Sequence, residues 1–302
     1  MRRVLIEKVE EGLVLGKPIY TSDGNVLLNA GMILKESYIK RLKALNVNYI
    51  YVEDNISQDI SIEDIISDET RFEARMSIRN AMDSVKLGQK LNTIAIRNSV
   101  NNIIDDILDK NDLIVNLVDI RSTDDYTFCH SVNVCVLSVL NGITLGYDRE
   151  KLQQLGMGAI LHDVGKTRIP QDVLLKPDVL SEEEFEIIKL HTNYGYKILS
   201  ESDEFSVYSR YIALTHHERV DGNGYPLGLN GNEIHEFSKI VSISDVFDAL
   251  TSDRIYKKSV KISEAVEFLI GMSNHMFDYD YVKSFMKHIT IYPIGTIVCL
   301  NT

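Results

Sequence analysis

Residues His216 to Pro226 read HHERVDGNGYP: two adjacent imidazoles and two carboxylates, Glu218 and Asp221, set against a turn with two glycines and a proline. Imidazole and carboxylate together are metal donors. Neighbouring residues of a helix point about 100° apart, so His216 and His217 can face one region only if the site wraps around a helix end. Gly222 and Gly224 release the backbone for such an end, and Tyr225-Pro226 directs an extended exit.

Seven of the eight histidines fall between His130 and His275. His130, His162, His191, His216 and His217, with Asp163 and Asp245, form a candidate set spaced by roughly one helix-turn-helix length. Such spacing is what a site built from side chains projecting inward off successive helices requires. Imidazole mixed with carboxylate and no thiolate suits iron or manganese better than structural zinc. Seven donors exceed the needs of one ion, and Asp163, directly after His162, is suited to bridge two, an arrangement used on phosphoesters. His235, His275 and His288 read as surface or capping residues.

The elements that must position these residues are mostly helical. Residues 1–55 read as a small α+β module: a short hairpin through Leu13-Val14-Leu15, Pro18-Ile19-Tyr20, the Ser22-Asp23-Gly24-Asn25 turn and Val26-Leu27-Leu28, a helix from Lys35 to Leu45, and a strand from Val47 to Val52. Residues 56–120 form a helical linker or regulatory segment, with apolar residues at three- and four-residue spacing, among them Ile96, Val100, Ile103, Ile104 and Ile107. Residues 121–290 form a multi-helix bundle, in which Asp124-Asp125 and Ser181 with Glu184 are helix-start signals. Residues 291–302 turn β-like. The fold class is mainly α, behind the small α+β module.

Composition narrows the partners. A net charge of −12 disfavours long DNA or RNA, whose affinity rests on phosphate neutralisation by lysine and arginine, but divalent ions in a cleft would reverse the local sign for a small anion. Cys129, Cys135 and Cys299 lack metal-knuckle spacing and read as buried thiols. No signal-like leader or long apolar run is present, which implies a cytoplasmic protein without a membrane. The long amphipathic helices before Asp119 could pair into a homodimer.

The order His130, then His162-Asp163-Val164-Gly165-Lys166, then His191, then His216 to Pro226, then Ser244-Asp245-Val246-Phe247-Asp248 resembles the HD-GYP branch of the HD phosphohydrolases. The resemblance runs from about Ser122 to Thr290. It implies an all-helical catalytic domain that hydrolyses cyclic di-GMP to linear pGpG, or further to GMP, with water activated between two ions. His130, His162, Asp163 and Asp245 would hold one ion; His191, His216 and His217 the second, with Asp163 shared. Lys166 would contact phosphate, and Asp248, Arg254, Lys257 and Tyr225 the nucleotide. The Gly-Tyr-Pro turn resembles loops that dock GGDEF-type cyclases. Members with a third ion carry glutamate four residues before the first histidine, where this chain has Tyr126, so two ions are expected. The remaining alternatives are a binding module without useful catalysis and a phosphodiesterase for another cyclic nucleotide.

Overall fold

The computed structural model describes residues 1–21, 26–45, 47, 49–60, 62, 64–110, 126–252, 259–292 and 294–298. The chain divides into two compact units, one of Met1–Ile65, Ile114–Tyr126 and Thr290–Thr302, the other of Ile66–Leu113 and Thr127–Ile289.

The first unit holds β1 (Arg2–Leu5), β2 (Val14–Leu15), β3 (Ile19–Tyr20), β4 (Val26–Leu28), α1 (Glu36–Ala44) and β5 (Tyr49–Glu53). β5 is the central strand, antiparallel to β1 on one side and β2 on the other, with Arg2 opposite Val52 and Leu15 opposite the same residue. Its Ile50, Tyr51 and Val52 are all buried, as a strand covered on both faces requires. Ile39 and Leu42 of α1 join Leu15, Ile50 and Val52 in one core, while Tyr51 packs with Ile62 on the opposite face. β3 and β4 form a separate hairpin; its turn, Ser22 to Asn25, lies outside the described residues. Two elements differ from the sequence reading. β1 was not foreseen, because Arg2-Arg3 breaks an apolar pattern that only pairing with β5 makes into a strand. The described part of 291–298 contains no strand: Gly295 O accepts a hydrogen bond from Arg3 N at 3.2 Å, but no ladder follows.

The second unit is helical: α2 (Asp68–Lys86), α3 (Thr93–Leu108), α4 (Tyr126–Thr144), α5 (Arg149–Ala159), α6 (Gln171–Leu174), α7 (Glu182–Ser200), α8 (Val207–Thr215), α9 (Glu236–Thr251), α10 (Ile262–Gly271) and α11 (Tyr279–Phe285). α2 and α3 pack on each other, α3 packs on α5, and α5 and α7 pack on α8. Ile78 and Val85 of α2, and Val100, Ile103 and Ile107 of α3, are thereby buried inside the unit. The apolar faces that made a homodimer attractive are used within the chain. α4 is buried over most of its length, its polar His130, Asn133 and Ser138 included; its Thr127–Thr144 stretch is long and apolar enough to cross a membrane, yet 72% of it is buried in the fold. The Ser181 capping box is present, with Ser181 accepting from Glu184 N and Glu184 accepting from Ser181 N. The Asp124-Asp125 cap lies outside the described residues. Cys135 is buried and Cys129 half-buried; Cys299 is not among the described residues. His235 caps α9, with Nδ1 accepting from Phe237 N, and His275 is exposed. His288, expected at the surface, is instead buried beside Thr144.

Candidate metal centre

Five parts of the second unit converge. α4 supplies His130, the turn after α5 supplies His162 and Asp163, α7 supplies His191, and α9 supplies Asp245. His216 is the C-cap residue of α8 and His217 follows it, so the pair does wrap a helix end. Two potential ion-holding groups result, Asp163–His191–His216–His217 and His130–His162–Asp245, with donor atoms within 4.8 Å of one another in each.

Asp163 lies between the groups and divides its oxygens. Oδ2 faces His162 Nε2 at 3.4 Å and His130 Nε2 at 4.0 Å, while Oδ1 faces His191 Nε2 at 3.5 Å and His216 Nε2 at 3.8 Å. His130 Nε2 is also 3.1 Å from Asp245 Oδ1.

The backbone fixes which ring nitrogen is available. Nδ1 of His162, His191 and His216 donates to Ala159 O, Ile188 O and Ile212 O at 2.8, 2.7 and 3.0 Å. In each case the carbonyl is three or four residues earlier, so local backbone selects the tautomer and aims Nε2 inward. Burial brings the pKa of His191 down to about 4 and that of His217 to about 3, and takes His216 well below its usual value. Neutral His191 and His216 therefore point bare Nε2 lone pairs at each other, 3.4 Å apart. Two acceptors facing one another do not make a hydrogen bond; a cation between them relieves the contact. His162 Nε2 and Asp163 Oδ1 are buried without a hydrogen-bond partner, which poses the same requirement. The donor set thus fits divalent ions.

Charge is arranged closely around the two donor groups. Burial opposes the charged form of His130, but hydrogen bonds to Asp245 and Asp248 prevail and raise its pKa to about 9. Burial likewise works against ionised Asp163 and Asp245, yet Lys166 and His162 hold the first well below the usual range and His130 holds the second there. Lys166 pairs directly with Asp163 Oδ2 and remains 32% exposed.

The remaining expected residues sort differently. Asp248 is buried, accepting from His130 Nδ1 at 2.7 Å and from Asn133 Nδ2 at 2.6 Å. Both of its oxygens are therefore engaged in the interior, one of them against the His130 ring. The two carboxylates of the His216–Pro226 run hold the loop: Glu218 accepts from Leu227 N and Leu229 N at 2.7 and 2.9 Å, and Asp221 pairs with Arg219. Tyr225 stacks on His217 with ring centroids 4.8 Å apart and planes at 27°. Arg254 and Lys257, and the side chain of Tyr126, lie outside the described residues.

Two glycines let the pieces close. A Cβ at Gly165 would stand 1.9 Å from His191 O, so only glycine lets the 3-10 turn Val164–Arg168 lie against α7. A Cβ at Gly224 would stand 2.4 Å from Arg219 N, and its absence lets the loop fold back on the residues after His217.

A family model described as the HD domain matches residues 126–281, just over half of the chain. The chain belongs to the HD domain family. Its HDVGK and HHERVDGNGYP runs place it in the HD-GYP branch. This HD-domain chain is 32% identical over 229 residues to a cyclic di-GMP phosphodiesterase of Pseudomonas aeruginosa, covering 76% of this chain and 55% of that protein. It is 40% identical over 165 residues to a cyclic di-GMP phosphodiesterase of Thermotoga maritima, covering 54% of this chain and 45% of that one. The chain spans about half the length of these curated relatives. The solved structure of an HDG"Y"P protein from Bdellovibrio bacteriovorus superposes with a TM-score of 0.58 at 17% identity, covering 94% of this chain and 98% of the other. That likeness establishes a shared fold for the HD-domain chain.

Proposed function

We propose that the protein is a metal-dependent phosphodiesterase that hydrolyses cyclic di-GMP to linear pGpG, and on to GMP if a second cut follows. The observation that supports this most is the division of Asp163 between two groups of inward-aimed histidine nitrogens, one group holding opposed lone pairs 3.4 Å apart. His130, His162, Asp163 and Asp245 would hold one divalent ion, and His191, His216 and His217, with Asp163 shared, a second. Iron or manganese bound there supplies a Lewis acid for the phosphoryl oxygen and lowers the pKa of water.

The chain's own groups then divide the work. Lys166 both touches the centre and reaches solvent, and we assign its ammonium to a non-bridging phosphate oxygen. Tyr225, stacked on His217, walls the side on which a nucleotide enters. Asp248 holds His130 against rotation. Arg254 and Lys257 are assigned to the nucleotide by their position in the family motif. A messenger made and consumed inside cells puts the reaction in the cytoplasm, with GGDEF-type cyclases as the partner class.

The test is turnover of cyclic di-GMP by protein prepared anaerobically with iron(II) or manganese, with products separated by chromatography. Linear pGpG should accumulate, and Asp163→Ala should reduce turnover to background while losing metal. No turnover by metal-loaded wild-type protein, or cleavage confined to a different cyclic dinucleotide, would overturn the proposal.

A further inference from the structure

The hydrogen bonds that orient His130 continue past Asp248. Asp248 Oδ2 accepts from His130 Nδ1 at 2.7 Å, its Oδ1 accepts from Asn133 Nδ2 at 2.6 Å, and Asn133 Oδ1 accepts from Arg71 Nη1 at 3.2 Å. Asn133 lies three residues after His130 on α4, and Asp248 three residues after Asp245 on α9, so each sits one helical turn from a candidate ligand on the same face. Arg71 comes from α2, outside residues 126–281 of the HD-domain match.

The line has a direction set by chemistry. An ionised aspartate only accepts, so Asn133 must turn its amide nitrogen toward Asp248 and its oxygen away; an arginine only donates, so Arg71 fits that oxygen and could not replace either neighbour. His130, Asn133 and Asp248 are 3%, 1% and 1% exposed, which removes water as a ready substitute. α2 also packs on the 3-10 turn that carries Lys166.

We propose that Arg71 is a positioning residue for the metal centre: through Asn133 and Asp248 it fixes the His130 imidazole and so sets the affinity for the ion shared by His130, His162 and Asp245. The inference rests on the proposed function only in treating that group as a metal site. Without Arg71, Asn133 Oδ1 loses this donor in a dry interior, and the amide that donates to Asp248 is anchored from one side only. The imidazole is then oriented by a mobile partner. The seating of a helix outside the HD-domain match is thereby coupled to metal occupancy, and a displacement of α2 is read at the centre.

The experiment uses the full chain, stripped by chelation and titrated with Mn²⁺ alone, with calorimetry and metal counting. Wild type should bind two ions. Arg71→Met and Asn133→Ala should each weaken one of them about 10- to 100-fold, as loss of partners behind a ligand generally does, and leave the other unchanged. Arg71→Lys, which keeps a donor, should recover most of the affinity. The double variant should be no weaker than Asn133→Ala, because both changes cut one line. Cyclic di-GMP turnover should fall at limiting Mn²⁺, recover at saturating Mn²⁺, and keep its KM.

Wild-type affinities in Arg71→Met, or losses that add in the double variant, would overturn the proposal. Should circular dichroism show Arg71→Met unfolded, Arg71→Gln, whose amide is too short to reach, is measured in its place with the same expectation. A wild-type chain that takes up no Mn²⁺ overturns this proposal and the proposed function together. One that takes up two ions without hydrolysing cyclic di-GMP overturns the function alone, and the affinities still decide the relay.

Discussion

Asp248 shows what a residue type reveals and what it withholds. Its carboxylate lies in the motif region, where a contact to guanine is a reasonable expectation, but both oxygens are taken by His130 and Asn133 in the interior. The spacing carries a second signal: three residues after Asp245 on one helix is the same face, and a second carboxylate beside a candidate ligand can hold a histidine ring. An orienting role makes a separable prediction. Asp248→Asn keeps the shape but weakens the acceptor, so kcat at limiting metal should fall about 10- to 100-fold with KM unchanged. A rise in KM with kcat preserved, measured by steady-state kinetics on cyclic di-GMP, would instead restore the guanine contact. The seven candidate donors, by contrast, were legible because imidazole and carboxylate declare their chemistry, and their spacing places one or two on each element. Their Nδ1 partners were not legible, since a backbone carbonyl is present at every position and only the fold selects Ala159, Ile188 and Ile212.

At the scale of elements, helices with caps and periodic apolar faces were readable from pattern, α7 with its capping box most fully. Strand β1 and the end of the chain were not, because a strand of four residues is defined by its partner more than by its own side chains. Close packing between elements was also hidden. Gly165 looked like one residue of a motif, yet it is the contact between the 3-10 turn and α7, with the position of a Cβ only 1.9 Å from His191 O and 2.5 Å from Gly195 N. Both obstacles are backbone, which cannot rotate aside. Gly165→Ala should therefore destabilise the metal-free protein by about 3 kcal/mol or more, lowering the melting temperature by several degrees, and should also separate His162 and Asp163 from His191. Gly271→Ala serves as the control: its Cβ would meet nothing within 4 Å at the end of α10, so it should be neutral or stabilising by at most about 1 kcal/mol. Equal melting temperatures for the two variants would show that the turn and α7 adjust freely.

On the scale of the whole molecule, the chain places all seven candidate donors in the second unit and none in the first. Those donors span residues 130 to 245 and come from five parts of the unit, so bound ions would tie together elements that otherwise meet mainly through apolar packing. The same ions offset carboxylate charge in a protein of net charge −12, which removes repulsion the metal-free fold must carry. Anything that binds the native state alone stabilises it by mass action, about 2.7 kcal/mol at a hundredfold excess over Kd. Mn²⁺ should therefore raise the unfolding temperature of the second unit and a chelator should lower it. Because the stabilisation acts where the ligands are, amide exchange followed by mass spectrometry should slow on metal addition in α4, α7, α8 and α9, while β1, β2 and β5 exchange as before. α2 and α3, which pack within the second unit, belong with the protected group even though their amphipathic pattern alone did not name the helices they cover. Protection spread evenly over both units would mean that the ions bind unspecifically to acidic surface, and no protection at all would mean that the opposed nitrogens of His191 and His216 are satisfied in some other way.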